Sequence, residues 1–374
     1  MAEIIDSANR FVWGAPTLLL VLGVGIFLSL RTNFAQLALL PKACRVFLSK
    51  LCTKSEDSEI SPFRALCTAL AATIGTGNLV GVAGAIALGG PGAVFWMWIS
   101  AILGMMTKYA EATLAVHYRV RSGGEWVGGP MYMISQGLGE KWRFLAVIYC
   151  FFGVFAAFGV GNATQINAVV TGLNQMIVSF GGTVSARKNL GIGLLLAVLI
   201  GAMLLGGAKR IGAVAQILVP VAAGAYLILG IGVLILRAPA IPGAFASVFQ
   251  GAFSPQAVTG GIVGSCFQTL RIGVSRGVFT NEAGMGTASI AHASAQVDVA
   301  AEQGLMGIME VFLDTIVICT MTALVILCSG IPIPYGTDVG AALTAQAFGA
   351  VYGNWVSVFL TLALCCFALA TVLG

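Results

Sequence analysis

Apolar residues in this chain come in blocks long enough to cross a lipid bilayer, one after another from end to end. No motif constrains the fold as strongly, because a bilayer core takes about 20 apolar residues as helix. We read nine such segments, A to I, at 11–30, 63–90, 92–116, 145–179, 190–206, 212–236, 258–294, 305–329 and 352–374. The chain is 58% hydrophobic and 9% charged, with mean hydropathy +0.97. A soluble domain carries about 25% charged residues, so this chain has too few to coat a water-facing surface. The expected fold class is an all-α polytopic membrane protein, one transmembrane domain over 1–374. The first block has no basic leader and no small-residue cleavage site, and reads as a retained helix rather than a signal peptide.

Loop charge gives an orientation. Arg31, Lys42, Arg45, Lys50, Lys54 and Arg64 lie between A and B, Arg119, Arg121, Lys141 and Arg143 between C and D, and Lys209 and Arg210 between E and F. The opposite side has Arg10, Arg187, Lys188 and Arg237, while Lys108, Arg271 and Arg276 fall within or at the ends of segments C and G. The positive-inside rule then predicts an outside N-terminus and cytoplasmic A–B, C–D and E–F loops, in a multi-pass protein of the cell inner (cytoplasmic) membrane. The net charge of +5 reflects this loop pattern rather than a nucleic-acid partner. Nine cysteines show no CxxC or Cys/His spacing for a metal, and most fall in apolar segments as small hydrophobes.

Two segments are poorly made for spanning lipid alone. Segment B contains "LAATIGTGNLVG", with glycines, threonines and an asparagine at mid-depth, and G contains "GGIVGSCFQTLRIGVSRGVFTNEAGMGTASIA". Small residues can serve as a helix-packing face. They can also mark a broken helix, and a pair of interrupted spans at matching positions of two halves points to a transporter binding site. B and G are five segments apart and antiparallel, so B–F and G onward read as two copies of a five-helix unit inserted in opposite senses. Unwinding around Gly75–Asn78 would free carbonyls for a small cation and N–H groups for a carboxylate. An amino acid with Na+ uses both.

Other polar residues in the spans leave alternatives open. Arg271, Arg276 and Glu282 in G serve either function or structural ion-pairing near a helix end. Glu310 and Asp314 in H are four apart on one face, suited to proton coupling or, by preference, to pairing with the arginines of G. Asn162 and Gln165 in D share a face, for a ligand that brings its own charges or for interhelical hydrogen bonds.

At these residues the sequence resembles the alanine/glycine:cation symporter (sodium:alanine symporter) family. The resemblance is carried by "ATIGTGNLVGVAGAIALGGPGAVFWMWISAILGMMTKYAEATLAVHYR", "GGEWVGGPMYMI", "GVGNATQINA" and "RGVFTNEAGMGTASIAHASA", with the opening "FVWGAPTLLLVLGVGIFLSLRTNF". It implies a leucine-transporter-like fold: an extra N-terminal helix at 11–30, a first five-helix repeat at 63–236 and an inverted, incomplete second repeat at 258–374. It also implies Na+-coupled import of alanine and/or glycine by alternating access, with Na+ as coupling ion and no other cofactor. Carried over, the resemblance implies that Thr76 and Gly77 hold the substrate carboxylate through backbone, with Asn78 beside them. It places Gln165 in the pocket, completed by an unwound region of G around Gly277, Phe279 and Asn281. By the same resemblance the carbonyls of Ala71 and Ile74 face the Thr371 hydroxyl in a sodium site. The family's plan needs about eleven helices, and segment I ends at "FALATVLG". The C-terminal helices are therefore expected to be missing, with transport belonging to the longer parent.

An enzyme is the poorer reading: His117 and His292 stand far apart without metal-ligand spacing, and no Ser/His/Asp or HExxH arrangement is visible. A nonspecific channel and a transport-dead amino-acid sensor are the remaining rivals.

Overall fold

A computed structural model describes residues 12, 14–51, 60–179, 181–337, 339–353 and 355–374. Arg10, Lys54 and the first residue of segment A, used above, lie outside the described residues. In chain order the helices are α1 (Ala15–Arg31), α2 (Ala35–Leu51), α3 (Pro62–Thr73), α4 (Val82–Gly89) and α5 (Gly92–His117). A hairpin of β1 (Val120–Ser122) and β2 (Glu125–Val127) follows. Then come α6 (Arg143–Ala156), α7 (Thr164–Ser179), α8 (Ala186–Leu204), α9 (Gly207–Leu236), α10 (Ile241–Phe253), α11 (Cys266–Asn281) and α12 (Thr287–Ala293). The chain closes with α13 (Ala300–Val311), α14 (Thr320–Cys328), α15 (Ala342–Tyr352) and α16 (Val356–Leu373). Among the described residues six helices are long and apolar enough to cross a membrane, or eight if each of two bent pairs is one span.

Local chemistry starts these helices where the sequence supplies caps. Ser61 accepts from the Arg64 N–H at 3.2 Å, with Pro62 next as a residue that has no N–H to satisfy. Ser265 does the same for α11, accepting from the Gln268 N–H at 3.1 Å. The hairpin turns on Gly123 and Gly124, both at positive φ, which suits a two-residue connection between twisted strands.

The structure departs from the sequence reading in three places. The A–B connection is not all loop: α2 occupies it, bent 84° from α1, and carries Lys42, Arg45 and Lys50. Helices α10 and α15 lie between F and G and between H and I, too short to have registered as spans. The interruption of segment G is not around Gly277, Phe279 and Asn281, which are helical in α11. It falls at 282–286, where Glu282, Gly284 and Gly286 all take positive φ. Gly277 instead permits close packing: a Cβ there would collide with Ser100 Oγ of α5.

Helix α5 sits at the centre, packed by α13, α11, α10, α1 and α12, and α16 packs against α7, α9 and α3. The main core cluster draws on α3, α4, α5, α9, α14, α15 and α16. At the periphery, α6 and α8 turn Phe151, Phe152, Phe155, Leu194 and Leu195 outward, as lipid contact requires.

Candidate functional site

Segment B breaks where the sequence asked for it. The last regular turn of α3 closes with the Ile74 N–H on the Leu70 carbonyl at 2.7 Å. Ile74 then leaves helical geometry at φ −76°, ψ 91°. The Gly75 N–H goes to Asn78 Oδ1 at 2.9 Å instead of to the Ala71 carbonyl four residues back. Residues Gly77–Gly81 form a wide π-helical turn before α4, and the two halves are bent by 49°. Wide turns of this kind concentrate at functional sites. Space enforces the glycine: a Cβ on Gly75 would lie 2.5 Å from Thr371 Oγ1 of α16 and 3.7 Å from Gln165 Oε1 of α7. Residues from segments B, D and I thus meet at one point.

A cavity of about 1270 Å³ opens on that point. Gly75, Thr76, Gly77, Gln165, Phe279 and Thr371 line it, with Asn162 from the π-helical turn Ala157–Ala163. Asn162 is exposed and donates to the carbonyl of Ala157 in its own turn at 3.1 Å. Asn78, Gly277 and Asn281 are buried behind the wall rather than on it. Asn281 donates to Thr315 Oγ1 at 3.1 Å and accepts from the Ala283 N–H at 3.0 Å, closing the end of α11. Ala71 and Ile74 are also buried, so what they could offer a cation is backbone carbonyl.

The charges inside the bundle pair differently from expectation. Glu310 and Asp314 do not engage Arg271 or Arg276, both of which face the cavity on α11. Lys108 of α5 pairs with Glu310 Oε1 at 3.2 Å, both side chains fully buried. His292 of α12 donates from Nε2 to Glu310 Oε2 at 2.8 Å, and Gln303 donates to its Nδ1 at 2.6 Å. Asp314 accepts from Asn78 Nδ2 at 2.6 Å and from Thr315 Oγ1 at 2.8 Å. The second break has its own clamps: Glu111 Oε1 accepts from the Gly284 and Gly286 N–H groups at 3.0 and 3.1 Å. Arg119 donates to the carbonyls of Ala293 and Ala295 at the far end of α12. Sequence reasoning did not find Lys108 and Glu111 as members of this set. The signal was there, since a charge inside an apolar span has to find a partner.

The chain's sequence can be placed among known proteins. The description of the matching family is "Sodium:alanine symporter family", and it covers residues 1–374. The chain is 44% identical over 382 residues to the sodium/alanine symporter AgcS of Methanococcus maripaludis, covering 100% of this chain and 81% of that one. It is 42% identical over 378 residues to an uncharacterized transporter of Haemophilus influenzae, at 100% and 80% coverage. The amino-acid carrier protein AlsT of Bacillus subtilis is 37% identical over 373 residues, at 100% and 76%.

Proposed function

The chain belongs to the sodium:alanine symporter family, a family of cation-coupled amino-acid transporters and not of enzymes, and from that premise we propose that it imports alanine or glycine together with Na+ across the cell membrane. The observation that carries this reading is the break at Ile74–Gly77, bent 49° and open to a cavity shared with Gln165 and Thr371. Unpaired peptide groups persist at membrane depth only where something polar answers them.

In this reading the substrate carboxylate lies on the backbone N–H groups of Thr76 and Gly77, and Gln165 receives its polar end. Phe279 closes the pocket over a small side chain. Na+ takes the carbonyls of Ala71 and Ile74 with the Thr371 hydroxyl. Support for the cation comes from the Ala71 carbonyl, whose helical N–H partner on Gly75 has gone to Asn78, and from Thr371 Oγ1 lying against Gly75. Asn78 acts indirectly, by holding the break open. Gly277 and Asn281 support the wall through packing and through the α11 terminus. We read 63–236 and 258–374 as two repeats of opposite sense, with the N-terminus outside, so that both breaks lie near mid-membrane.

Coupling follows from charge. One Na+ moved across about 100 mV is worth about 2.3 kcal/mol. At about 1.4 kcal/mol per tenfold, that drives roughly fifty-fold accumulation of substrate from voltage alone.

The test is uptake of radiolabelled alanine and glycine into proteoliposomes bearing the full-length protein, with and without an inward Na+ gradient. Saturable, gradient-dependent uptake is expected. Ion conduction that ignores alanine would favour a channel, and binding without counterflow a sensor. Gln165→Ala is expected to raise the half-saturating alanine concentration about tenfold, the loss of one hydrogen bond of about 1.4 kcal/mol. Unchanged half-saturation would remove Gln165 from the site.

A further inference from the structure

One helix touches both breaks. The span that starts as α13 carries Glu310 and Asp314, four residues apart and both fully buried. Asp314 receives Asn78, whose other amide atom holds the Gly75 N–H at the break of segment B. Glu310 receives His292 of α12, the half-helix beyond the break of segment G, and pairs with Lys108 of α5. With Gln303 donating to Nδ1, the imidazole carries its proton on Nε2 and points it at the carboxylate. Neither Glu310 nor Asp314 lines the cavity, so neither is placed to touch a ligand.

We propose that Glu310 and Asp314 are positioning residues that tie the two broken segments to one helix, so that ordering the break of B by its ligands moves α12 in step. The proposal rests on the symport reading given above and adds the route by which the two halves of the site stay together. Buried charged hydrogen bonds suit this role because they have few alternative partners at membrane depth: α12 is held by its histidine and cannot drift from α13 without giving up the bond to Glu310 Oε2. Thr315, next to Asp314, also receives Asn281 at the end of α11. The break of G is therefore linked to this helix on both sides.

The experiment is a double-mutant cycle on alanine exchange in proteoliposomes, with rates expressed per folded carrier after size-exclusion chromatography. His292→Gln and Asp314→Asn are each expected to lower the maximal rate about tenfold, and His292→Gln should leave half-saturating alanine unchanged. The double variant is expected to fall no further than the slower single one, because both cut the same linkage. A roughly hundredfold loss in the double variant, the product of two independent effects, would overturn the proposal. So would wild-type maximal rates in either single variant. If His292→Gln does not give folded protein, the pair Lys108→Met with Glu310→Met removes the same tether without stranding a charge, and enters the same cycle with Asp314→Asn. Absence of Na+-driven uptake by the wild-type carrier would strike the symport reading itself, whereas normal wild-type uptake with multiplicative variants would strike the linkage alone.

Discussion

Gly75→Leu is expected to abolish Na+-driven uptake while leaving the chain folded and inserted. Gly75 does not take a positive φ, so its backbone would accept a side chain. Space is what forbids one. The first added carbon already falls 2.5 Å from Thr371 Oγ1, and the leucyl branch would fill the point where segments B, D and I meet. Overfilling a packed site costs about 1–3 kcal/mol. That cost falls on stability and leaves the fold standing, while the room beside Thr371 that the ligands need is gone. The control is Gly81→Ala in the same wide turn, where an added Cβ meets nothing within 4 Å. Its uptake is expected to stay near wild type. Equal loss in both variants would show that the turn needs glycine for its backbone and not for the room beside Thr371.

Lys108→Met should be among the most damaging single changes to stability, by about 3–5 kcal/mol. It leaves Glu310 fully buried without its lysine, held only through the hydrogen bond to His292. Replacing both members by apolar side chains of similar volume removes the charge along with its partner. Lys108→Met/Glu310→Met is therefore expected to regain most of the loss. Thermal unfolding in detergent measures both, and a double variant as unstable as the single one would show that the carboxylate has partners enough without the lysine. The contrast also separates stability from transport, since the stable double variant still lacks the tether between α12 and α13.

The membrane class and the break in segment B could be read from residues alone because each has one physical cause. Long apolar blocks have few other uses. In "GTGN" the glycines and the asparagine act together, Gly75 for room and Asn78 as the side chain that takes its N–H. Segment G misled for a reason that is equally physical. Small residues in a membrane helix either loosen the backbone or let another helix come close, and Gly277 does the second. The loosening falls on Glu282, Gly284 and Gly286, where the amides of the two glycines find Glu111. That carboxylate comes from another helix, and no local pattern announces it. Charge pairing was legible as a requirement and not as an assignment. Glu310 needed a cation, and the nearer choices in sequence, Arg271 and Arg276, turn out to face the cavity, while Lys108 arrives from α5. Sequence also gave no reason to suspect α2, whose basic residues read as loop until its packing against α13 is seen.

The wide turn at Phe312–Cys319 has a consequence for how one helix serves several neighbours. An α-helix advances about 100° around its axis per residue, so one surplus residue in a turn shifts the phase of everything after it by that angle. Glu310 precedes the shift and Asp314 sits within it. Thr320 and Thr322 come after it, accepting from Trp98 Nε1 at 2.8 Å and bonding to the Tyr226 hydroxyl at 2.7 Å. A uniform screw would aim the later pair elsewhere. Deleting one residue here would unthread those upper contacts as a block and leave the lower anchor on Lys108 in place.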